Sequence, residues 1–128
     1  MRNVKKGDRM NILVYEEDWA KRYKLKSVLQ EVCSYDETVQ IYYAKNESDA
    51  FKYAEEHHID VAFISWDVRQ GLFLTEKLKD RVYRLNVVIM SEAYQYEEEF
   101  WKWHLSGYIV GDVTQEKVLR ELDNLRYA

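Results

Sequence analysis

Apolar residues in this chain fall into short, nearly unbroken runs, separated by longer stretches in which they return every three or four positions. The runs are NILVY at 11–15, VQIYYA at 39–44, VAFI at 61–64, NVVIM at 86–90 and GYIV at 107–110. Runs of four to six residues that are mostly apolar read as strands covered on both faces. The stretches between them read as helices. EEDWAKRYKLKSVLQEVC sets Leu25, Val28, Leu29 and Val32 at helical spacing, and NESDAFKYAEEHH puts Ala50, Tyr53 and Ala54 on one face behind a cap at Asn46 or Ser48. LFLTEKLKDRV and EEEFWKWHL read as a third and a short fourth helix, and TQEKVLRELDNL as the last. In that last helix Thr114 is the expected N-cap and Glu116 puts an acid in the first turn, but Lys117 stands where a full capping box has Glu or Gln. Five strands alternating with five helices predict a doubly wound α/β fold, a five-stranded parallel sheet with helices on both faces. In such sheets the working site lies beyond the carboxyl ends of the strands. Those ends carry Glu16, Glu17 and Asp18 after the first strand, Ser65 to Asp67 after the third, Ser91 after the fourth and Gly111 after the fifth.

The length of 128 residues suits one domain. Residues 1–9, MRNVKKGDR, have no apolar period and read as a loose basic arm ahead of a fold spanning 10–128, with Met10 an alternative start to Met1. A net charge of −4 argues against a nucleic-acid surface, which depends on Lys and Arg neutralising phosphates. No apolar run approaches the ~20 residues of a membrane span, and no signal-peptide pattern opens the chain, so the expected location is the cytoplasm. The single cysteine, Cys33, has no partner for an internal disulfide and falls on the apolar side of its helix, the place of a core residue.

The acids of YEED at the first strand end have two readings. Together with the next strand end they make an oxygen-rich place for Mg²⁺, and equally they suit the first turn of a helix through its dipole. Other chemistry finds less support. Neither GxGxxG nor GxxxxGK[ST] occurs, and no nucleophile-elbow sequence supports a Ser-His-acid triad. His57 and His58 are adjacent, so their rings diverge on a helix, and His104 lies apart from both.

NILVYEED, IDVAFISWDVRQGLFLTEKL, VVIMSEA and GYIVGDVTQEKVLREL, in this order and spacing, resemble the receiver domain of bacterial response regulators, the CheY-like, flavodoxin-like fold. The likeness runs from Met10 to about Tyr127 and is greatest to receivers attached to LytTR-type DNA-binding domains. It implies strand order 2-1-3-4-5. It also implies an acidic pair for Mg²⁺ at Glu16 and Glu17, a hydroxyl at Ser91 and an aromatic switch position at Tyr108. The chain departs from the family at other positions. Ser65 stands where the family has its phosphate-accepting aspartate, Gly111 where it has a lysine and Asp112 where it has a proline, and the loop before Gly71 is two residues short. A serine hydroxyl cannot form the acyl phosphate, and losing the lysine removes an electrostatic contribution of several kcal/mol. Asp67 has the strand parity of Ser65, so a strand two residues longer would turn its carboxylate toward Glu16 and Glu17.

The aromatics of YEEEFWKWHLSGY add a surface. Tyr96, Phe100 and Trp103 recur on one helix face, and Trp101 falls about 200° away from Trp103. Trp101, Trp103 and Tyr108 are therefore candidate interface residues, since by resemblance the fourth helix, fifth strand and fifth helix form a dimer face. Trp19 follows the acid cluster as a candidate lid or as a plain surface residue. The expectation is an atypical receiver, a pseudo-receiver without enzymatic activity. It would act as a phosphorylation-independent signalling or dimerisation module in transcriptional regulation. Its partner would be a second copy or another protein, with no direct binding to nucleic acid or membrane and no firm need for a cofactor. Two alternatives stand: a receiver phosphorylated at Asp67 with Mg²⁺ by a histidine kinase, and a small flavodoxin-like enzyme or ligand binder.

Overall fold

The computed structural model describes residues 10–33 and 36–127. The basic arm expected over residues 1–9 lies outside the described residues, and so does the choice between Met1 and Met10. The chain alternates β1 (Met10–Tyr15), α1 (Trp19–Cys33), β2 (Val39–Ala44), α2 (Glu47–Glu56), β3 (Val61–Ser65), α3 (Arg69–Arg81), β4 (Asn86–Ser91), α4 (Glu97–Lys102), β5 (Gly107–Val110) and α5 (Gln115–Asp123). The strands form one parallel sheet, as the doubly wound reading predicts, in the order β2-β1-β3-β4-β5 that the resemblance implies.

Alternation along the strands builds two cores, one on each face. On one face Ile12, Val14, Phe63, Val88, Met90 and Ile109 meet Leu25, Val28 and Leu29 of α1 and Val118 and Leu122 of α5. On the other, Leu13, Tyr15, Ala62, Ile64, Val87 and Ile89 meet Ala50 of α2 and Leu74 and Leu78 of α3. Tyr96, Phe100 and Trp103 pack against this second core while half-buried. Each large apolar side chain removed from water contributes about 1.5–3 kcal/mol, which explains why β3 and β4 are buried at every position. Cys33 is buried in the first core.

Each helix departs from its expected bounds by up to three residues, α3 and α4 among them. α3 begins at Arg69, three residues before the expected Leu72, because Gly71 lets its first turn lie directly on the end of β3. A Cβ at Gly71 would stand 1.8 Å from the Ser65 carbonyl oxygen. α4 stops at Lys102, and Trp103 and His104 form a turn in which His104 takes a left-handed φ of 53°. β3 runs one residue beyond the expected Ile64, so Ser65 is its last residue and pairs with Met90. Among the described residues no helix is long and apolar enough to cross a membrane.

Candidate functional site

The carboxyl ends of β1, β3, β4 and β5 meet the start of α1 around a cleft of about 210 Å³, whose polar lining includes Glu16, Lys21, Asp67, Ser91 and Glu92. Glu16 leaves the sheet at the end of β1 and is buried, its Oε2 accepting from the Asp18 N–H at 3.1 Å. Burial pushes its carboxyl above the usual carboxylate range, against the pull of that N–H and of the Lys21 ammonium. Ser65, also buried, contributes a hydroxyl without charge, which makes no well-formed hydrogen bond among the described residues but lies close enough to the Glu16 carboxyl to help draw it down.

Asp67 lies past the strand. The Trp66 N–H still donates to the Met90 carbonyl at 2.9 Å, and the chain then turns away. Asp67 Oδ1 accepts from Ser91 Oγ at 3.3 Å and from the Glu92 N–H at 3.0 Å, while Oδ2 accepts from Lys21 Nζ at 3.2 Å. Lys21 also pairs with Glu92 Oε1 at 2.7 Å. The Glu92 bond, then the Asp67 one, holds the Lys21 ammonium well above the usual lysine range. The start of this loop is anchored from three sides. Trp66 Nε1 donates to Thr75 Oγ1 at 2.9 Å, Thr75 donates to the Gly71 carbonyl at 2.9 Å, and Tyr96 Oη donates to the Trp66 carbonyl at 3.2 Å.

The expected site residues divide. Glu16, Ser91, Asp67, Gly111 and Asp112 come together at the cleft. Asp67 reaches it from the loop instead of from a lengthened β3, and it bonds Ser91, Glu92 and Lys21 in place of facing the acidic pair. Glu17 does not join, because its carboxylate accepts the Tyr15 hydroxyl. Gly111, at φ 72°, brings no side chain, and its N–H donates to the Ser91 carbonyl at 2.9 Å. The nearby Lys117 ammonium is turned to main-chain carbonyls, Val110 at 2.7 Å and Asp112 at 3.0 Å. Tyr108 is half-buried, its hydroxyl donating to the Ala93 carbonyl at 2.9 Å and its ring 4.8 Å from that of Tyr94. Trp101 is 62% exposed, whereas Trp103 is half-buried beneath the Lys102 ammonium. Trp19 stacks on Tyr23 along α1, away from the cleft lining, so it forms no lid.

Mg²⁺ needs oxygen ligands with spare negative charge, and these residues do not fit it. Glu17 is directed elsewhere, Ser65 is neutral, and Lys21 already sits between Asp67 and Glu92. No three His, Cys, Asp or Glu side chains among the described residues converge as a cation site. Sequence reasoning missed Lys21 and Glu92. Lys21 follows Glu16 by five positions in YEEDWAK, which places it in the first turns of a helix that starts at the strand ends.

No family model matches the chain, and no curated protein matches it. Solved structures do. The Vibrio cholerae chemotaxis protein CheY4 is similar at a TM-score of 0.76 and 13% identity, covering 90% of this chain and 97% of that one. The response regulator TrrA of Thermotoga maritima, solved in complex with Mg²⁺-BeF, is similar at 0.73 and 19% identity, covering 89% and 96%. A CheY-like receiver domain protein of Methanospirillum hungatei gives 0.74 at 15% identity, covering 91% and 92%. At these identities the likeness establishes the fold, that of response regulator receiver domains.

Proposed function

We propose that the chain is an atypical receiver that signals by protein association, without phosphorylation, Mg²⁺ or enzymatic turnover. One observation carries the reading: β3 ends in the buried, uncharged Ser65, while both oxygens of Asp67 are engaged by Ser91, Glu92 and Lys21. A carboxylate so held is a poor nucleophile toward a phosphoryl donor, and the neutral serine removes the charge that would bind the metal. The partner is a second copy or another protein that docks on α4, β5 and α5, where Trp101 is exposed. The resemblance to receivers of LytTR-type regulators points to transcription as the process served. With acetyl phosphate and Mg²⁺, intact-mass measurement should show no added phosphoryl group.

A second reading keeps Asp67 as the acceptor, because its carboxylate does reach the cleft beside Ser91 and Lys21. A phosphorylated wild type and an unmodified Asp67→Asn variant would establish that reading and end the first.

A further inference from the structure

Three donors from two separate parts of the chain converge on the Asp67 carboxylate. They are the Ser91 hydroxyl at the end of β4, the N–H of Glu92 just beyond it, and the Lys21 ammonium near the start of α1. A hydroxyl and a main-chain amide on one oxygen and, on the other, an ammonium shared with Glu92 Oε1 at 2.7 Å make an oxyanion site, since each donates to negative oxygen and the ammonium adds charge. Here the anion is part of the chain. We infer that Asp67 serves as a built-in anion, filling an oxyanion cradle formed by Ser91, Glu92 and Lys21 and closing the strand-end loops in one arrangement with no ligand added. The inference rests on the phosphorylation-independent reading and explains how the fold holds one state without modification.

The surroundings support it. Trp66, anchored to Thr75 and Tyr96, fixes where Asp67 begins, and β3 has already ended, so the side chain is free of strand parity. On the cradle's far side the Ala93 N–H donates to Ser91 Oγ at 3.4 Å, and the Ala93 carbonyl accepts from Tyr108. Ala93 thus touches both the cradle and Tyr108 of β5. A tethered carboxylate meets the cradle at an effective concentration in the millimolar range or above, so free anions at ordinary levels do not displace it.

The test is a titration with sodium phosphate against a sodium chloride control, following the Glu92 amide by NMR in the wild type and in Asp67→Ala. In the variant the Glu92 resonance should move saturably toward its wild-type position, and in the wild type it should not respond. Adding Lys21→Met to the variant should weaken the response about tenfold, equivalent to one lost charge-assisted hydrogen bond. An equal response in both proteins, or none in the variant, overturns the inference. Should Asp67→Ala fail to fold, the near-isosteric Asp67→Asn serves, read by acylation of lysines near pH 8.5 with mass mapping. Lys21 should label more slowly than Lys24 in the wild type and faster in Asp67→Asn, and unchanged labelling overturns the inference. The two claims fail separately. A wild type phosphorylated at Asp67 defeats the underlying reading, whereas an unphosphorylated wild type with an unresponsive variant defeats the cradle alone.

Discussion

Lys79 carries its charge out of solvent. It is 3% exposed in α3, its ammonium donating to the Leu85 carbonyl at 3.1 Å and to the Tyr83 carbonyl, with the Tyr127 ring centroid 4.8 Å away. Burial, with Arg126 nearby, pushes its pKa from 10.5 down to about 8. Between those two values the unfolded chain holds a proton that the folded chain has released, so this residue's contribution to stability rises with pH across the window. Below it, both states are protonated and the charge is simply costly to bury. The difference in unfolding free energy between wild type and Lys79→Met should therefore grow in favour of the wild type from about pH 8 to about pH 10. Denaturant titrations across that range check it, and groups common to both proteins, such as Cys33 with its raised thiol pKa, cancel in the difference. At this scale Glu16, Ser65 and Ser91 were legible, because a residue that ends a buried parallel strand has little freedom over where it points. Lys21 and the Glu92 N–H were not. The first depends on how α1 sits over the strand ends, and a main-chain donor has no signature in residue type. Where the Glu17 carboxylate goes was illegible for a related reason, since nothing in YEED announces that the Tyr15 hydroxyl will donate to it.

Among the elements, a side-chain cap made a helix start readable. α2 and α5 begin where Asn46 and Thr114 accept the N–H groups of Asp49 and Lys117, and these were readable from residue type. α3 begins after Val68, which makes no side-chain cap bond, and there the expected start failed, whereas α4 starts at Glu97 as expected, although Tyr96 makes no such bond, and departs only at its end. What starts α3 early is space: its first turn rests on the carbonyl of Ser65, a contact that only a residue without a Cβ permits. Gly71→Ala should cost about 3 kcal/mol through overpacking against rigid backbone, seen as a lowered denaturation midpoint. An equally stable variant would show that the β3–α3 junction has room to move. The same junction explains the shortened loop, because starting α3 at Arg69 leaves only Trp66, Asp67 and Val68 between strand and helix.

For the molecule as a whole, the short apolar runs determined most of the outcome. Three central strands buried from both sides, β1, β3 and β4, with the partly covered β2 and β5 at the edges, leave few arrangements besides a parallel sheet wrapped by helices, and the observed order matches the expectation. The surface of association is less constrained by such patterns. Trp101 on α4 and Leu119 on α5 are exposed, and Tyr94 stands 58% exposed in the loop that precedes α4. Sedimentation velocity should show a concentration-dependent dimer that Trp101→Glu abolishes, with unfolding free energy changed by no more than about 0.5 kcal/mol. A wild type that stays monomeric at high concentration would rule out self-association through this face.

Trp66 is 2% exposed, next to Asp67, with its indole N–H bonded to Thr75 and its ring edge-on to Tyr96 at 5.1 Å. Trp19 and Trp101, at 70% and 62% exposed, lie open to a soluble quencher. The chain therefore carries its own optical gauge. With the two outer indoles quenched, the remaining emission comes from Trp103 and from Trp66, whose buried surroundings, set by Thr75 and Tyr96, change when the loop bearing Asp67 lets go.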